Sequence, residues 1–339
     1  MCVNRKNNMK ILTIVVPTYN MEKYLSRCLD SMLEDNSRRE KLEILVVNDG
    51  SKDSSLTIAK EYEKKYEGIV KAIDKENGNY GSCVNRGLKE AAGQYFRILD
   101  ADDTFQAGAL EKMLDTLASS TEDMIVTQYA YLYDLTGKKE RISPNGVIYD
   151  KTYKDFDFSN DGNDVVLSMH AVTYKTAVLR EIGLKLDEGV SYTDLEYVYF
   201  PLKAIKSLRF LDIDLYEYHI GREGQTVDPK SQARSINSFL TVTKRLVDDY
   251  AFSYKKANVT LLNNERITIN KIIYATFKIA LVLCPKNVEN DRLLKAIYSK
   301  VKQTDNSVMW LKKKKIRPIV YLWNLTGLYF SSIKRFLKK

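Results

Sequence analysis

Short runs of aliphatic and β-branched residues recur through the first hundred positions, and a stretch with helical spacing follows each. Residues 11–16, Ile-Leu-Thr-Ile-Val-Val, have the pattern of a strand covered on both faces. Residues 21–33 then place Leu25, Cys28, Leu29, Met32 and Leu33 on one helical face. Further strands are expected at 43–47, 69–73 and 95–99, with helices at 54–66, 82–92 and 105–117. Alternation at this spacing implies right-handed crossovers, and so an α/β fold with a Rossmann-like, mostly parallel, doubly wound sheet. A strand is expected at 124–131, a polar, Tyr-rich antiparallel edge to 161, helices at 166–180 and 194–204, and a strand at 208–218. Beyond Gly221-Arg222-Glu223-Gly224 the pattern changes to long helices, about 229–249 and 263–282. The reading is therefore a sheet domain over 1–224 and a C-terminal helical region over 225–339.

Charge refines this picture once it is located. The chain of 339 residues carries a formal +9, yet from Lys300 onward there are eleven Lys or Arg and one acid, Asp305. The tail alone is +10 and the rest about −1, which argues against nucleic acid as a partner of the main body. Cys2, Cys28, Cys83 and Cys284 show no metal-ligand or disulfide spacing, so reduced thiols are expected. The polar N-terminus has no secretory pattern, and no apolar run approaches spanning length, so a cytoplasmic protein is expected.

Chemistry gathers where the predicted strands end. Tyr95-Phe96-Arg97-Ile98-Leu99 runs straight into Asp100-Ala101-Asp102-Asp103. Acids at the carboxyl edge of an open α/β sheet sit where such sheets bind ligands, and their hard oxygens suit Mg²⁺ or Mn²⁺. The competing reading is that an acid such as Asp103 caps the following helix. The first strand ends in Pro17-Thr18-Tyr19-Asn20, where Tyr19 offers a stacking face and Asn20 is placed to cap the next helix. The second ends in Asn48-Asp49-Gly50-Ser51, where Asp49 can accept from a base N–H and Asp53 or Ser54 caps. Each loop alone is ordinary turn chemistry. The chain has neither a G-x-x-x-x-G-K-[ST] loop nor a G-x-G-x-x-G after its first strand, which removes the P-loop and dinucleotide readings.

The ordered set VPTYN, VNDGS and ENGNYGSCVNRGLKEAAGQYFRILDADD resembles the inverting family-2 glycosyltransferases of the nucleotide-diphospho-sugar (GT-A) fold, over about residues 11–220. The resemblance implies that Pro17, Thr18, Tyr19 and Asp49 hold the nucleotide, that Asp100 contacts the ribose, and that Asp102 binds a Mn²⁺ or Mg²⁺ on the diphosphate. It also implies a nucleotide-sugar donor, with a UDP-sugar favoured, and a glycan or lipid-linked hydroxyl acceptor in cell-surface or capsular polysaccharide synthesis. The general base matches Asp194 in Asp187-Glu188-Gly189-Val190-Ser191-Tyr192-Thr193-Asp194, with Thr193 in place of the family's usual Glu and Glu196 as a fallback. Asp194 could equally cap the helix that begins there. Val84 stands where many members carry Arg, leaving Lys75 or Arg86 as the basic contact. The stretch from Tyr218 to Thr226 also resembles one found after the last strand in part of the family, which implies that Arg222 reaches the diphosphate and His219 completes the metal shell. His170 falls in an apolar helical pattern and is expected to be a packed or acceptor-site residue.

The tail has its own signature. Lys312 to Lys315 and Arg317 precede a mostly apolar stretch at 319–330 containing Tyr321, Trp323 and Tyr329, and Lys334, Arg335, Lys338 and Lys339 close the chain. Cationic flanks around a short aromatic-rich segment suit peripheral contact with the inner face of the cell membrane; the alternative is a helix packed on the protein. Two further functional readings remain, a nucleotidyltransferase acting on a sugar phosphate and a non-catalytic membrane- or glycan-binding protein.

Overall fold

The computed structural model describes residues 9–34, 36–144, 146–154, 165, 167–222, 225, 228–254, 259–305 and 316–331. It divides into two compact units, Met1–Val190 with Lys203–Arg222, and Ser191–Leu202 with Glu223–Lys339.

In chain order the first unit holds β1 (Leu12–Thr18), α1 (Leu25–Leu33), β2 (Leu42–Asn48), α2 (Ser55–Lys65), β3 (Val70–Asp74), α3 (Asn79–Glu90), β4 (Tyr95–Ile98), β5 (Thr104–Phe105), α4 (Ala109–Leu117), β6 (Met124–Tyr133), β7 (Lys138–Ile142), β8 (Thr152–Lys154), β9 (Val172–Lys175) and α5 (Thr176–Glu181), and after the segment given to the second unit, β10 (Ser207–Ile220). The main sheet runs β3-β2-β1-β4-β9-β6-β10-β5, with β7 beside β6 and β8 beside β10. Strands β3, β2, β1 and β4 are mutually parallel. All seven residues of β1 are buried, as a strand covered on both faces requires. Helix α3 lies so close to β1 that a Cβ on Gly87 would come within 2.3 Å of Val15 Cγ2, which only glycine avoids. Strand order reverses direction at β1 and β4, the switch point where ligands enter such sheets.

Four expectations are corrected here. The helix expected over 166–180 is instead β9 followed by the short α5. Val172-Thr173-Tyr174 is β-branched and aromatic, and it inserts antiparallel between β4 and β6, where all three side chains are buried. The helix expected from Phe105 starts at Ala109, after Gly108 in the left-handed region at φ 70°, because Thr104 and Phe105 pair with Glu217 and Tyr216. Asp103 is therefore a buried residue before a strand and caps no helix. Asn20 also caps nothing: at φ 53° it accepts from Lys52 N–H at 2.8 Å and donates its own N–H to Ser51 Oγ at 3.0 Å. Together with Glu22 N–H to Asp53 (3.0 Å) and Ser54 N–H to Glu22 (3.0 Å), it laces the first two strand-end loops together.

The second unit contains α6 (Asp194–Tyr199), α7 (Pro229–Arg234), α8 (Ile236–Ser253), α9 (Val259–Lys278), α10 (Val288–Thr304) and α11 (Arg317–Thr326). Leu240, Val242, Leu246, Ile269, Ile273, Leu294 and Val301 are fully or nearly fully buried along α8 to α10. Residues 191–202 belong to this helical unit although they precede β10 in the chain. The lysine run at 312–315 and the final residues, 332–339, lie outside the described residues.

Candidate active site

Four parallel strand ends in the first unit bring their loops to one edge. β1 delivers Thr18 and Tyr19, β2 delivers Asn48 and Asp49, β3 delivers Asp74 and Lys75, and β4 delivers Asp100. Pro17 and Thr18 pair in register with Val47 and Asn48, and Asp49 N–H donates to Thr18 O at 2.8 Å, so the first two ends are locked side by side. Thr18 is buried, whereas Tyr19 is 46% exposed and leaves its ring face available.

Asp49 is buried and preorganised. One oxygen accepts from Lys75 Nζ at 2.5 Å and from Gly78 N–H at 2.9 Å, and Asn77 Nδ2 donates to its carbonyl at 3.0 Å. Lys75 also reaches Ser82 Oγ at 2.8 Å. Of the two basic candidates raised by the sequence, Lys75 thus stands in the site through Asp49, while Arg86 pairs with Glu90 at 3.0 Å on the outer face of α3.

The acids after β4 separate into distinct environments. Asp100 accepts from Tyr80 OH at 2.9 Å. Asp102 Oδ2 accepts from Arg222 Nε at 2.8 Å and Nη2 at 2.7 Å, and its carbonyl is held by Arg27 Nη2 at 2.7 Å. The Arg222 guanidinium also lies 5.5 Å from the Tyr24 ring centroid, a cation–π distance. Asp103 is wholly buried and accepts from Tyr216 OH at 2.5 Å and His219 N–H at 2.9 Å. Burial, with the neighbouring Asp102 and Asp100, pushes its carboxyl well above the usual range.

Asp100, Asp103 and His170 bring one ligand atom each to within 4.8 Å of one another. His170 lies in the turn before β9, not in a helix; its Nδ1 is 2.9 Å from Ser168 Oγ and its ring stacks on Tyr218 at 4.8 Å. Sequence spacing gave no sign of this juxtaposition, because it depends on β9 lying beside β4. His219 has both ring nitrogens engaged, Nε2 with Thr104 Oγ1 at 2.9 Å and Nδ1 with Asp134 Oδ1 at 2.7 Å. A metal on His219 requires one of those partners to give way.

Asp194 opens α6 in the second unit and is described there. Burial pushes its carboxyl up to about 6, against the lowering effects of its own and Leu195's N–H and of Lys271. Tyr192, two residues earlier, sits at φ 66° with its ring stacked 3.7 Å from that of Phe239. The fallback Glu196 is fully buried and paired with Arg245 at 2.7 Å, so its charge is committed within the unit.

An open, mostly parallel sheet whose switch-point loops present an exposed aromatic ring, a fixed carboxylate and a cluster of acids defines an α/β protein with its polar edge at the carboxyl ends of the strands. A profile of the family described as Glycosyl transferase family 2 matches residues 13–183, just over half of the chain. The chain belongs to glycosyl transferase family 2. It is 36% identical over 148 residues to the uncharacterized glycosyltransferase MG025 homolog of Mycoplasma pneumoniae, covering 42% of this chain and 48% of that protein. It is 31% identical over 225 residues to a poly(ribitol-phosphate) beta-glucosyltransferase of Bacillus spizizenii, covering 63% of this chain and 33% of that one. The matched stretch spans less than half the length of these curated relatives. The crystal structure of S. aureus TarS 1–349 in complex with UDP-GlcNAc shares the fold, with a TM-score of 0.64 at 19% identity over 94% of this chain and 93% of that one.

Proposed function

We propose that the protein is an inverting glycosyltransferase that moves a sugar from a nucleotide sugar, with a UDP-sugar the favoured donor, to a hydroxyl of a polysaccharide or lipid-linked glycan acceptor. The observation that carries this reading is the convergence of Tyr19, Asp49 and Asp100–Asp103 on one edge of the sheet, each from a different strand end. The family membership and the UDP-GlcNAc in the TarS structure support it. The relative named for poly(ribitol-phosphate) supports an acceptor among cell-surface polymers.

In this reading Tyr19 stacks on the base and Asp49, fixed by Lys75 and Gly78, accepts from a base N–H. Asp100 faces the ribose. The residues present fit a divalent cation: Asp100, Asp103 and His170 bring one ligand atom each to within 4.8 Å of one another, and Asp102, between the two acids in the chain, adds a hard carboxylate oxygen. Held by Asp102, Mg²⁺ or Mn²⁺ would offset charge on the leaving nucleoside diphosphate. Arg222 provides a second positive group for the same phosphates. Asp194 takes the proton of the acceptor hydroxyl as that oxygen attacks the anomeric carbon; a carboxyl near 6 is ionised at neutral pH and more basic than an ordinary aspartate.

A screen of UDP- and GDP-sugars for cation-dependent turnover tests the reading. Turnover of one donor class is expected, and it should be lost in Asp102→Ala and Asp194→Asn while the far-UV circular dichroism is unchanged. Full activity in either variant removes that residue's assigned role, and failure of all nucleotides to bind removes the reaction.

A further inference from the structure

Helix α11 is two-faced in an unusual way. Its inner side is tied to the helical unit: Val320 and Trp323 are buried, Trp323 Nε1 donates to Asp291 Oδ1 at 2.7 Å, and its ring meets Phe277 and Tyr298 edge-on at 5.6 and 5.9 Å. Part of its outer side is apolar as well, in a strip that continues past the helix end. Tyr321 and Leu325 are each 64% exposed, and Leu322, Leu328 and Phe330 are also exposed. Twelve large apolar residues are exposed among the described residues, and five of them fall within 321–330. Scattered exposed apolar side chains need no explanation, but a concentrated patch marks an interaction surface.

Charge indicates what covers it. From Asn306 to the end the sequence has nine Lys or Arg and no Asp or Glu. Among described residues, the Lys286 ammonium lies beside Gly327 where the helix ends, and Arg317 opens the helix. An apolar, aromatic-bearing face inside a one-signed basic stretch is complementary to an anionic lipid surface, where acyl chains receive the side chains and head groups receive the cations. The same one-signed charge opposes pairing with an identical copy. At ten residues α11 is far too short to span a bilayer, and no helix among the described residues is long and apolar enough to do so.

We infer that the outer face of α11, through Tyr321, Leu322 and Leu325, together with Leu328 and Phe330 just beyond its end, is a docking surface for an anionic membrane, on which the helix lies parallel to the bilayer plane. This goes beyond the glycosyl-transfer reading and stands independently of it.

The full chain is sedimented with phosphatidylcholine vesicles, with and without phosphatidylglycerol. Binding is expected only to the anionic vesicles, weakened by salt, and reduced about tenfold or more in Tyr321→Ser/Leu325→Ser, since two large apolar side chains no longer enter the interface. Because both side chains point to solvent, the variant should keep its Trp323 fluorescence, its melting temperature and its turnover of donor with a water-soluble acceptor. Absence of wild-type binding to anionic vesicles overturns the inference, as does equal binding by the variant. A wild-type dimer that the variant converts to monomer, seen by sedimentation velocity, overturns it in favour of a self-association face. Loss of donor turnover in both proteins with vesicle binding intact would count against the transferase reading and leave the docking surface standing.

Discussion

Arg222 closes on Asp102 with two nitrogens, Nε at 2.8 Å and Nη2 at 2.7 Å, both directed at the single oxygen Oδ2. The carboxylate proposed to hold a divalent cation is thus already neutralised by a cation of the chain. An ion pair of this kind is a competitor for the metal and, once released, a free positive group for a diphosphate. Gly221 at φ 133° immediately precedes it, a backbone conformation that only glycine adopts readily.

Arg222→Gln should therefore produce effects of opposite sign. Affinity for Mn²⁺ alone rises several-fold because the competitor is gone. Affinity for UDP in saturating Mn²⁺ falls about tenfold, the usual loss for one charge-assisted contact. Calorimetry with each ligand separately checks both, and a parallel change in the two affinities would show that Arg222 only shapes the loop.

The raised carboxyl of Asp194 has a signature in both activity and stability. With a folded value of about 6 against the ordinary 3.8, the folded protein binds more protons than the unfolded chain between those pH values. Stability attributable to this group is highest below about pH 4 and is lost as pH rises to 6, after which the cost is constant. Asp194→Asn should abolish transfer yet gain about 3 kcal/mol at pH 7, and most of the gain should vanish near pH 4. Urea denaturation at the two pH values reads this directly. In the wild type, kcat/KM should climb about tenfold per pH unit below 6 and level off above it.

Lys75 acts through Asp49, to which it donates at 2.5 Å in a largely buried setting. Lys75→Met leaves a buried carboxylate held by the Gly78 N–H and without its main cation, so its ability to receive a base N–H is altered while the acids after β4 are untouched. The expected result is a rise of about tenfold in the donor KM with kcat nearly unchanged, because a contact to the base is made equally in ground and transition states. Steady-state kinetics with the donor varied distinguish this from a loss of folding, which would lower kcat as well.

Much of the first unit was legible because a strand covered on both faces must be written in continuous apolar residues, and Ile14–Val16 and Ile44–Val47 are. The polar breaks after those strands marked the sheet edge for the same reason, which is how Tyr19, Asp49 and Asp100 could be picked out. Two things hid the rest. Strands of two to four residues, such as β5 and β9, are too short to show a period, so Thr104–Phe105 and Val172–Lys175 were absorbed into neighbouring helical patterns. Contacts that depend on those strands were hidden with them: Asp103 beneath Tyr216, and His170 beside Asp100. The membership of residues 191–202 in the helical unit likewise depends on packing across a long sequence interval that no local pattern records.

Arg97 places a charge in the middle of an apolar strand. Its guanidinium is fully buried and donates to Thr173 Oγ1 at 2.8 Å, Thr127 Oγ1 at 3.3 Å, Ala171 O at 3.4 Å and His170 O. Phe105 and Tyr216 lie within cation–π range at 5.5 and 5.9 Å. Arg97 thus joins β4 to β6, to β9 and to the turn that carries His170. Arg97→Met keeps the volume but takes a donor from His170 O and from the Thr173 and Thr127 hydroxyls, while Ala171 O keeps the Thr127 N–H at 2.9 Å, and a loss of about 3–5 kcal/mol is expected from such a deletion. Adding Thr173→Val removes one stranded hydroxyl and should recover part of that loss. Recovery in the double variant, measured by urea denaturation, identifies unsatisfied polar groups as the cause; additive losses would instead point to packing alone.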